Sequence, residues 1–259
     1  MTRSVTILGS TGSIGVSALR VIGHFRDEFS VYGLSCNRNL ELLEKQVREF
    51  SPRAVAVGSA DAAKSAAFAS LREAFPGVEF LTGPEGISEL ASRGAHVMVS
   101  ALVGAAGLLP TLAALPAVKR LALANKETLV MAGEIFMRRV AESGVELIPV
   151  DSEHSAVFSL LERVKREDVA RIVLTASGGS LRDRTAGELD DVTPDQALAH
   201  PTWSMGSKIT IDSATMMNEG LEVIEAHHLF GVDYGMIDVV LHQESIVHSM
   251  VESRDGGLY

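Results

Sequence analysis

Val5-Thr6-Ile7-Leu8-Gly9-Ser10-Thr11-Gly12-Ser13-Ile14-Gly15 decides how the chain is read. An apolar run passes straight into glycines spaced by three, and the residues beyond, with Leu19 and Ile22, open a helical pattern. The run is expected to be a buried parallel strand. The glycines are expected to form a tight turn into a helix whose first backbone N–H groups stand beside small residues, a geometry that suits a pyrophosphate. A strand-to-helix turn that binds nothing has the same spacing.

Working outward, further short apolar runs follow at Val31-Tyr32-Gly33-Leu34, Val55-Ala56-Val57, Val97-Met98-Val99, Leu121-Ala122-Leu123 and Leu147-Ile148-Pro149-Val150. Helical segments separate them, such as the one carrying Leu43, Val47 and Phe50. Strand alternating with helix predicts an α/β, Rossmann-like doubly wound sheet over residues 1–150. After Val150 the pattern changes, and a smaller α+β domain over 151–259 is expected to begin close to Asp151. Its predicted elements are a helix near Ser155–Val164, a strand at Ile172–Leu174, a long helix from about Ala214 to Phe230, and strands at Val239–Leu241 and Ile246–His248. Asp255-Gly256-Gly257 is a turn leading only into Leu258-Tyr259, so this domain is expected to be incomplete at its C-terminal end.

Composition narrows the function classes. The chain has 259 residues, 46% of them hydrophobic and 22% charged, which suits folded globular domains rather than disorder. Its single cysteine, Cys36, can form no internal disulfide and no cysteine cage for zinc, which points to a reducing, cytoplasmic compartment and to oxygen or nitrogen ligands for any metal. No apolar run approaches the ~20 residues of a membrane-spanning helix, and the start leads into the glycine motif where a signal peptide would show a cleavage site. A net charge of −10 argues against nonspecific nucleic-acid binding. A small phosphorylated molecule remains compatible with it.

Five sets of residues are candidates for chemistry. After the second strand the chain reads Ser35-Cys36-Asn37-Arg38-Asn39, with an arginine where enzymes that use NAD place an acid, which favours a 2′-phosphate. A solvated Arg38 is the alternative. Asn125-Lys126-Glu127 follows another strand and offers an amide, a cation and a carboxylate, and equally reads as a helix cap. In Asp151-Ser152-Glu153-His154, an extended backbone would project both acids to one side, where a hard divalent cation, Mg2+ or Mn2+, would relieve their repulsion. Glu222, one turn from Asn218, is the best third ligand, while Asp151 as the N-cap of a helix with His154 in its first turn competes with that reading. The loops Ala176–Ser180 and Ile211–Thr215 offer hydroxyls for a phosphate monoester. His200–Lys208 holds the sole tryptophan, Trp203, as a lid or as a buried anchor.

Together these segments resemble the 1-deoxy-D-xylulose 5-phosphate reductoisomerase family. The motifs that carry the resemblance are Leu8–Gly15, Leu123–Glu127, Pro149–His154, Thr175–Gly179, His200–Gly206 and Asp212–Asn218, in family order along nearly the whole chain. The resemblance implies an NADPH- and metal-dependent enzyme of the methylerythritol phosphate route to isoprenoids, a homodimer in the family. Asp151, Glu153 and Glu222 would hold Mg2+ or Mn2+. Ser152, Ser177, His200, Ser213 and Asn218, with position 219, would bind the sugar phosphate, and Trp203 would cover it. Thr11, Gly12, Ser13, Ile14, Arg38, Asn39, Asn125, Lys126, Glu127 and Gly206 would contact NADPH. In the family the metal polarises the substrate carbonyl, the carbon skeleton rearranges by retro-aldol cleavage and re-addition, and NADPH reduces the resulting aldehyde. Three departures accompany the match. Glu219 stands where the family has lysine, Asn37 stands where a glycine is frequent, and the family continues beyond this length. Glu219 reverses a charge beside a bound dianion, so a weak enzyme or a silent NADP(H)-binding fragment is the alternative expectation.

Overall fold

The structure is a computed structural model that describes residues 2–259, and these divide into two compact units with the sequence boundary between Ile148 and Pro149. In the first unit the apolar runs form β1 (Arg3–Leu8), β2 (Phe29–Cys36), β3 (Ala54–Val57), β4 (Glu79–Thr82), β5 (Ala95–Ser100), β6 (Val118–Leu123) and β7 (Glu146–Pro149). They line up as β4-β3-β2-β1-β5-β6-β7, and every pairing from β4 to β6 is parallel. The order reverses between β1 and β5, and at such a switch point the loops beyond the strand ends splay apart and leave a crevice. Val5, Ile7, Leu34, Val55 and Val57 pack with Leu19, Leu43, Val47 and Phe68 from flanking helices into one core. Apolar burial of this kind, at roughly 25 cal/mol per Å², is the main term holding sheet and helices together. Strand β4 is absent from the sequence reading. It lies at the sheet edge, with Glu79 and Thr82 exposed and Phe80 and Leu81 only half-buried, so it carries neither a continuous nor an alternating apolar pattern.

The second unit holds β8 (Val169–Ala176), β9 (Ile237–Leu241) and β10 (Ser249–Ser253) in the order β10-β8-β9. Strand β8 is antiparallel to β10 and parallel to β9. The helices Ser152–Leu161 and Met217–Phe230 join them in a core of Val157, Ile172, Leu174, Ala226, Phe230 and Val251.

Two expected elements differ. The long helix expected from about Ala214 to Phe230 is present but begins at Met217: a separate helix, Ser207–Ala214, ends just before it, and Met216 between them adopts a left-handed φ of 60° that breaks the hydrogen-bond ladder. Residues 246–248 are loop, and the strand begins at Ser249. Their backbone groups are satisfied by side chains: His242 Nε2 accepts the Ile246 and Val247 N–H groups, and Thr175 Oγ1 donates to the Val247 and His248 carbonyls. With four of its backbone groups engaged by side chains, the segment pairs with no strand in this register.

Candidate functional site

In the first unit the glycine turn is built by close backbone approach. Gly9 has φ 84°, and a Cβ there would lie 2.5 Å from the Ala101 carbonyl oxygen; one on Gly15 would lie 2.4 Å from the Gly9 carbonyl oxygen. Only glycine permits these contacts. Ser10 is buried beneath the turn, its Oγ donating to Gln46 Oε1 at 2.7 Å while Gln46 Nε2 donates to the Ser10 carbonyl at 2.8 Å. Ser35 Oγ accepts the Gly9 N–H at 3.0 Å, tying the turn to β2.

Over the turn opens a cavity of about 830 Å³ whose lining includes Gly9, Thr11, Gly12, Cys36, Asn37, Ala101 and Val103. Burial pushes the Cys36 thiol up to about 12. Of the expected dinucleotide contacts, Thr11 and Gly12 line this cavity, and Ser13 and Ile14 begin the helix Ser13–His24 with exposed side chains. Arg38 and Asn39 are exposed beyond β2, and Asn39 Oδ1 caps the helix Leu40–Phe50 by accepting the Leu42 N–H at 3.1 Å. Asn125 is the N-cap of the helix Lys126–Ser143, accepting the Thr128 N–H at 3.0 Å, and its Nδ2 donates to the Leu102 and Gly104 carbonyls at 2.8 and 3.0 Å and to Glu127. The capping role read for Asn125 is therefore present in the fold. Asn125, the buried Lys126 and Glu127 stand outside the lining of this cavity.

In the second unit a smaller cavity, about 160 Å³, gathers most of the expected metal and substrate residues: Asp151, Ser152, Glu153, Ser177, Trp203, Ser213, Asn218, Glu219 and Glu222, with Thr175, Met205, Ile209 and Ser245. Asp151, Glu153 and Glu222 each present a carboxylate oxygen, all within 4.8 Å of one another. That spacing suits a hard divalent cation, which takes oxygen ligands. The backbone arrives there differently from the extended segment expected. Asp151 is the N-cap of the helix Ser152–Leu161, accepting the Glu153 N–H at 3.2 Å, so the first helical turn brings the two acids together. Cap and cluster coexist in the same residues.

Hydrogen bonds orient each acid. Asn218 Nδ2 donates to Glu222 Oε1 at 2.6 Å across one helical turn, and Ser152 Oγ donates to Glu153 Oε2 at 2.8 Å. His248 Nδ1 lies 3.0 Å from Glu153 Oε1. Burial first, then the Asp151 charge, lifts the Glu153 carboxyl above its ordinary range, against the hydrogen bond from His248. His154 is wholly buried, with Nδ1 3.0 Å from Asp151 Oδ1 and Nε2 3.0 Å from the Glu222 carbonyl oxygen. Burial lowers its pKa, but the Asp151 hydrogen bond and the charges of Glu225, Asp151 and Glu222 outweigh that and raise it to about 9.

The hydroxyls converge for a backbone reason. A Cβ on Gly179, at φ 72°, would lie 2.2 Å from the Ser213 carbonyl oxygen, so the loop after β8 presses directly on the last turn of the helix Ser207–Ala214. Ser177 and Ser213 thereby share one cavity. Ser213 ends a helix rather than starting one, as the sequence suggested; the helix start beside it carries Asn218 and Glu219. Glu219 is only 6% exposed and lines the cavity with Asp151, Glu153 and Glu222, while no lysine or arginine is among the lining residues described. His200 Nε2 bonds Ser177 Oγ at 3.0 Å, and its Nδ1 accepts the Thr202 and Trp203 N–H groups. Trp203 is 42% exposed, which excludes the buried anchor, and its ring centroid lies 6.2 Å from that of His248. Gly206, the N-cap of the helix Ser207–Ala214, stands outside the cavity lining. The sequence reading missed His248, Ser245 and Gln46, which carry no spacing signal and reach their partners only through the tertiary fold.

Residues 5–133 match the family model of 1-deoxy-D-xylulose 5-phosphate reductoisomerase, and residues 147–230 match that of the 1-deoxy-D-xylulose 5-phosphate reductoisomerase C-terminal domain. The chain is 52% identical over 254 residues to the reductoisomerase of Shouchella clausii (strain KSM-K16), with 98% of this chain and 66% of that protein aligned. It is 53% identical over 257 residues to that of Anaeromyxobacter sp. (strain K), covering 99% of this chain and 65% of that protein. The chain thus spans about two-thirds of the length of the curated relatives it matches. Among solved structures, the reductoisomerase from Zymomonas mobilis in complex with NADPH superimposes with a TM-score of 0.89 at 41% identity, over 100% of this chain and 66% of that one. A reductoisomerase in complex with NADPH, fosmidomycin and magnesium gives 0.91 at 39% identity, over 99% and 65%. With both of its units matched in order, the chain belongs to the 1-deoxy-D-xylulose 5-phosphate reductoisomerase family.

Proposed function

We propose that this chain carries the dinucleotide and metal sites of an enzyme that isomerises and reduces 1-deoxy-D-xylulose 5-phosphate to 2-C-methyl-D-erythritol 4-phosphate, with NADPH and Mg2+ or Mn2+. The observation that carries the reading is the meeting of Asp151, Glu153 and Glu222 in a cavity shared with Ser177, Ser213 and Asn218. Relatives whose structures contain NADPH and magnesium support it. When bound, the cation supplies Lewis-acid polarisation of a carbonyl and NADPH supplies hydride.

The remaining roles belong to the chain's own groups. Asp151, Glu153 and Glu222 hold the cation. Ser152, Ser177, Ser213 and Asn218 bind the sugar phosphate, and His200 keeps the Ser177 hydroxyl in place. Trp203, which lines the cavity and is partly exposed, covers the bound sugar phosphate and keeps water from it. In the first unit, Thr11, Gly12, Ser13 and Ile14 receive the pyrophosphate at the start of a helix, and Arg38 with Asn39 meets the 2′-phosphate. Asn125, Lys126 and Glu127 take the nicotinamide half.

The test is NADPH oxidation with 1-deoxy-D-xylulose 5-phosphate, with and without Mn2+. Metal-dependent turnover lost in Asp151→Asn is the expected result; turnover that survives chelation overturns the reading. Buried Glu219, in a cavity lined by no cationic side chain among the described residues, favours a second reading, a silent NADP(H)-binding protein. Unchanged NADPH affinity with no turnover at saturating substrate would select it.

A further inference from the structure

We infer that Glu225 is a positioning residue for the carboxylate centre, acting through His154; this rests on the metal reading above. His154 touches both stretches of chain that supply the acids. Its Nδ1 is 3.0 Å from Asp151 Oδ1, and its Nε2 is 3.0 Å from the backbone carbonyl of Glu222. The same Asp151 Oδ1 also accepts the Glu153 N–H, so this oxygen is committed to inward bonds and the carboxylate cannot rotate freely. A ring that moved would release Asp151 and Glu222 together.

Glu225 faces the same ring nitrogen as Asp151 and braces the ring by its charge. It lies one turn beyond Glu222 on the helix Met217–Phe230, is 1% exposed, and places Oε2 3.5 Å from His154 Nδ1. Phe230, from the end of the same helix, packs against the ring with centroids 6.1 Å apart and planes within 24° of parallel. A carboxylate is rarely buried this deeply unless it faces a compensating hydrogen or charge, and the edge of the His154 ring, at ion-pair distance, is one group that faces it. Such outer partners fix a metal ligand's orientation, and their loss commonly costs ~10- to 100-fold in metal affinity. Removing the charge and loosening the ring both act in that direction.

The experiment is calorimetric titration of Mn2+ alone into the full chain, its Glu225→Gln, Glu225→Asp and His154→Gln variants, and the Glu225→Gln/His154→Gln double variant. Expected are one Mn2+ bound by the parent, a dissociation constant raised ~10- to 100-fold in Glu225→Gln, and a smaller rise in Glu225→Asp, which keeps the charge. If Glu225 acts through His154, the double variant loses no more affinity than His154→Gln alone. A merely structural role would lower the melting temperature and leave Mn2+ affinity unmoved. Glu225→Gln binding Mn2+ like the parent, or full additivity in the double variant, overturns the inference while the metal reading stands. A parent that binds no Mn2+ overturns both. Should Glu225→Gln not fold, the comparison of parent with Glu225→Asp decides, with unchanged affinity as the refuting result.

Discussion

Ser177 Oγ and His200 Nε2 lie 3.0 Å apart, and the opposite ring nitrogen accepts the backbone N–H groups of Thr202 and Trp203. His200 therefore joins the loop after β8 to the tryptophan loop, and it does so as a neutral ring, since Nδ1 has to be an acceptor.

Burial, followed by the Arg182 charge, lowers the His200 pKa below its ordinary 6.5. With the folded value depressed, the folded state binds fewer protons than the unfolded state. The stabilisation from neutral His200 is thus complete above pH 6.5 and declines below it, as pH falls toward and through the folded value. Trp203 is the only tryptophan, so intrinsic fluorescence should report release of its loop on acidification. The transition should vanish in His200→Gln and persist in His248→Gln. A transition that instead follows His248 assigns the effect to the wrong ring.

Glu219→Lys should raise affinity for inorganic phosphate or the sugar phosphate, because it replaces a buried anion in a cavity that already holds Asp151, Glu153 and Glu222. At ~4 Å and an effective dielectric of about 20 one charge pair contributes about 4 kcal/mol, so gains of two to three powers of ten are the right scale before relaxation. Steady-state KM and kcat for parent and variant check this. Equal values in both would refute the charge argument.

Gly179→Ala and Gly220→Ala should move stability in opposite directions. The first has φ 72° and would drive a Cβ to 2.2 Å from the Ser213 carbonyl, which should cost at least about 2 kcal/mol in urea denaturation. The second is an exposed helical position with nothing within 4 Å, where alanine should stabilise by about 0.5–1 kcal/mol. Two losses of similar size would contradict the packing described for the loop after β8.

Cys36 should be inert to thiol reagents in the native protein, since burial pushes its pKa up to about 12 and leaves almost no thiolate at neutral pH. Stoichiometric labelling is expected only in denaturant. Rapid labelling of the native protein would mean that the floor of the large cavity opens.

The central strands were legible because burial on both faces demands continuous apolar runs, as in Val5–Leu8 and Val55–Val57. Edge strand β4 escaped because one exposed side relaxes that demand. The meeting of Asp151, Glu153 and Glu222 was legible from residue type and spacing, although the backbone between the first two is a capped helix start rather than a strand. His248 was not legible. It reaches Glu153 across 95 positions of sequence, a contact that only the pairing of β10 with β8 creates.

The hydrogen bonds between Gln46 and Ser10 have a mechanical consequence. Helix Leu40–Phe50 grips the glycine turn through its middle, while its first turn follows directly on Arg38 and Asn39. A nucleotide reaching from that turn to the end of β2 would meet a single preassembled body rather than two independent loops. Its adenosine half would then meet little of the ordering cost that separate loops impose.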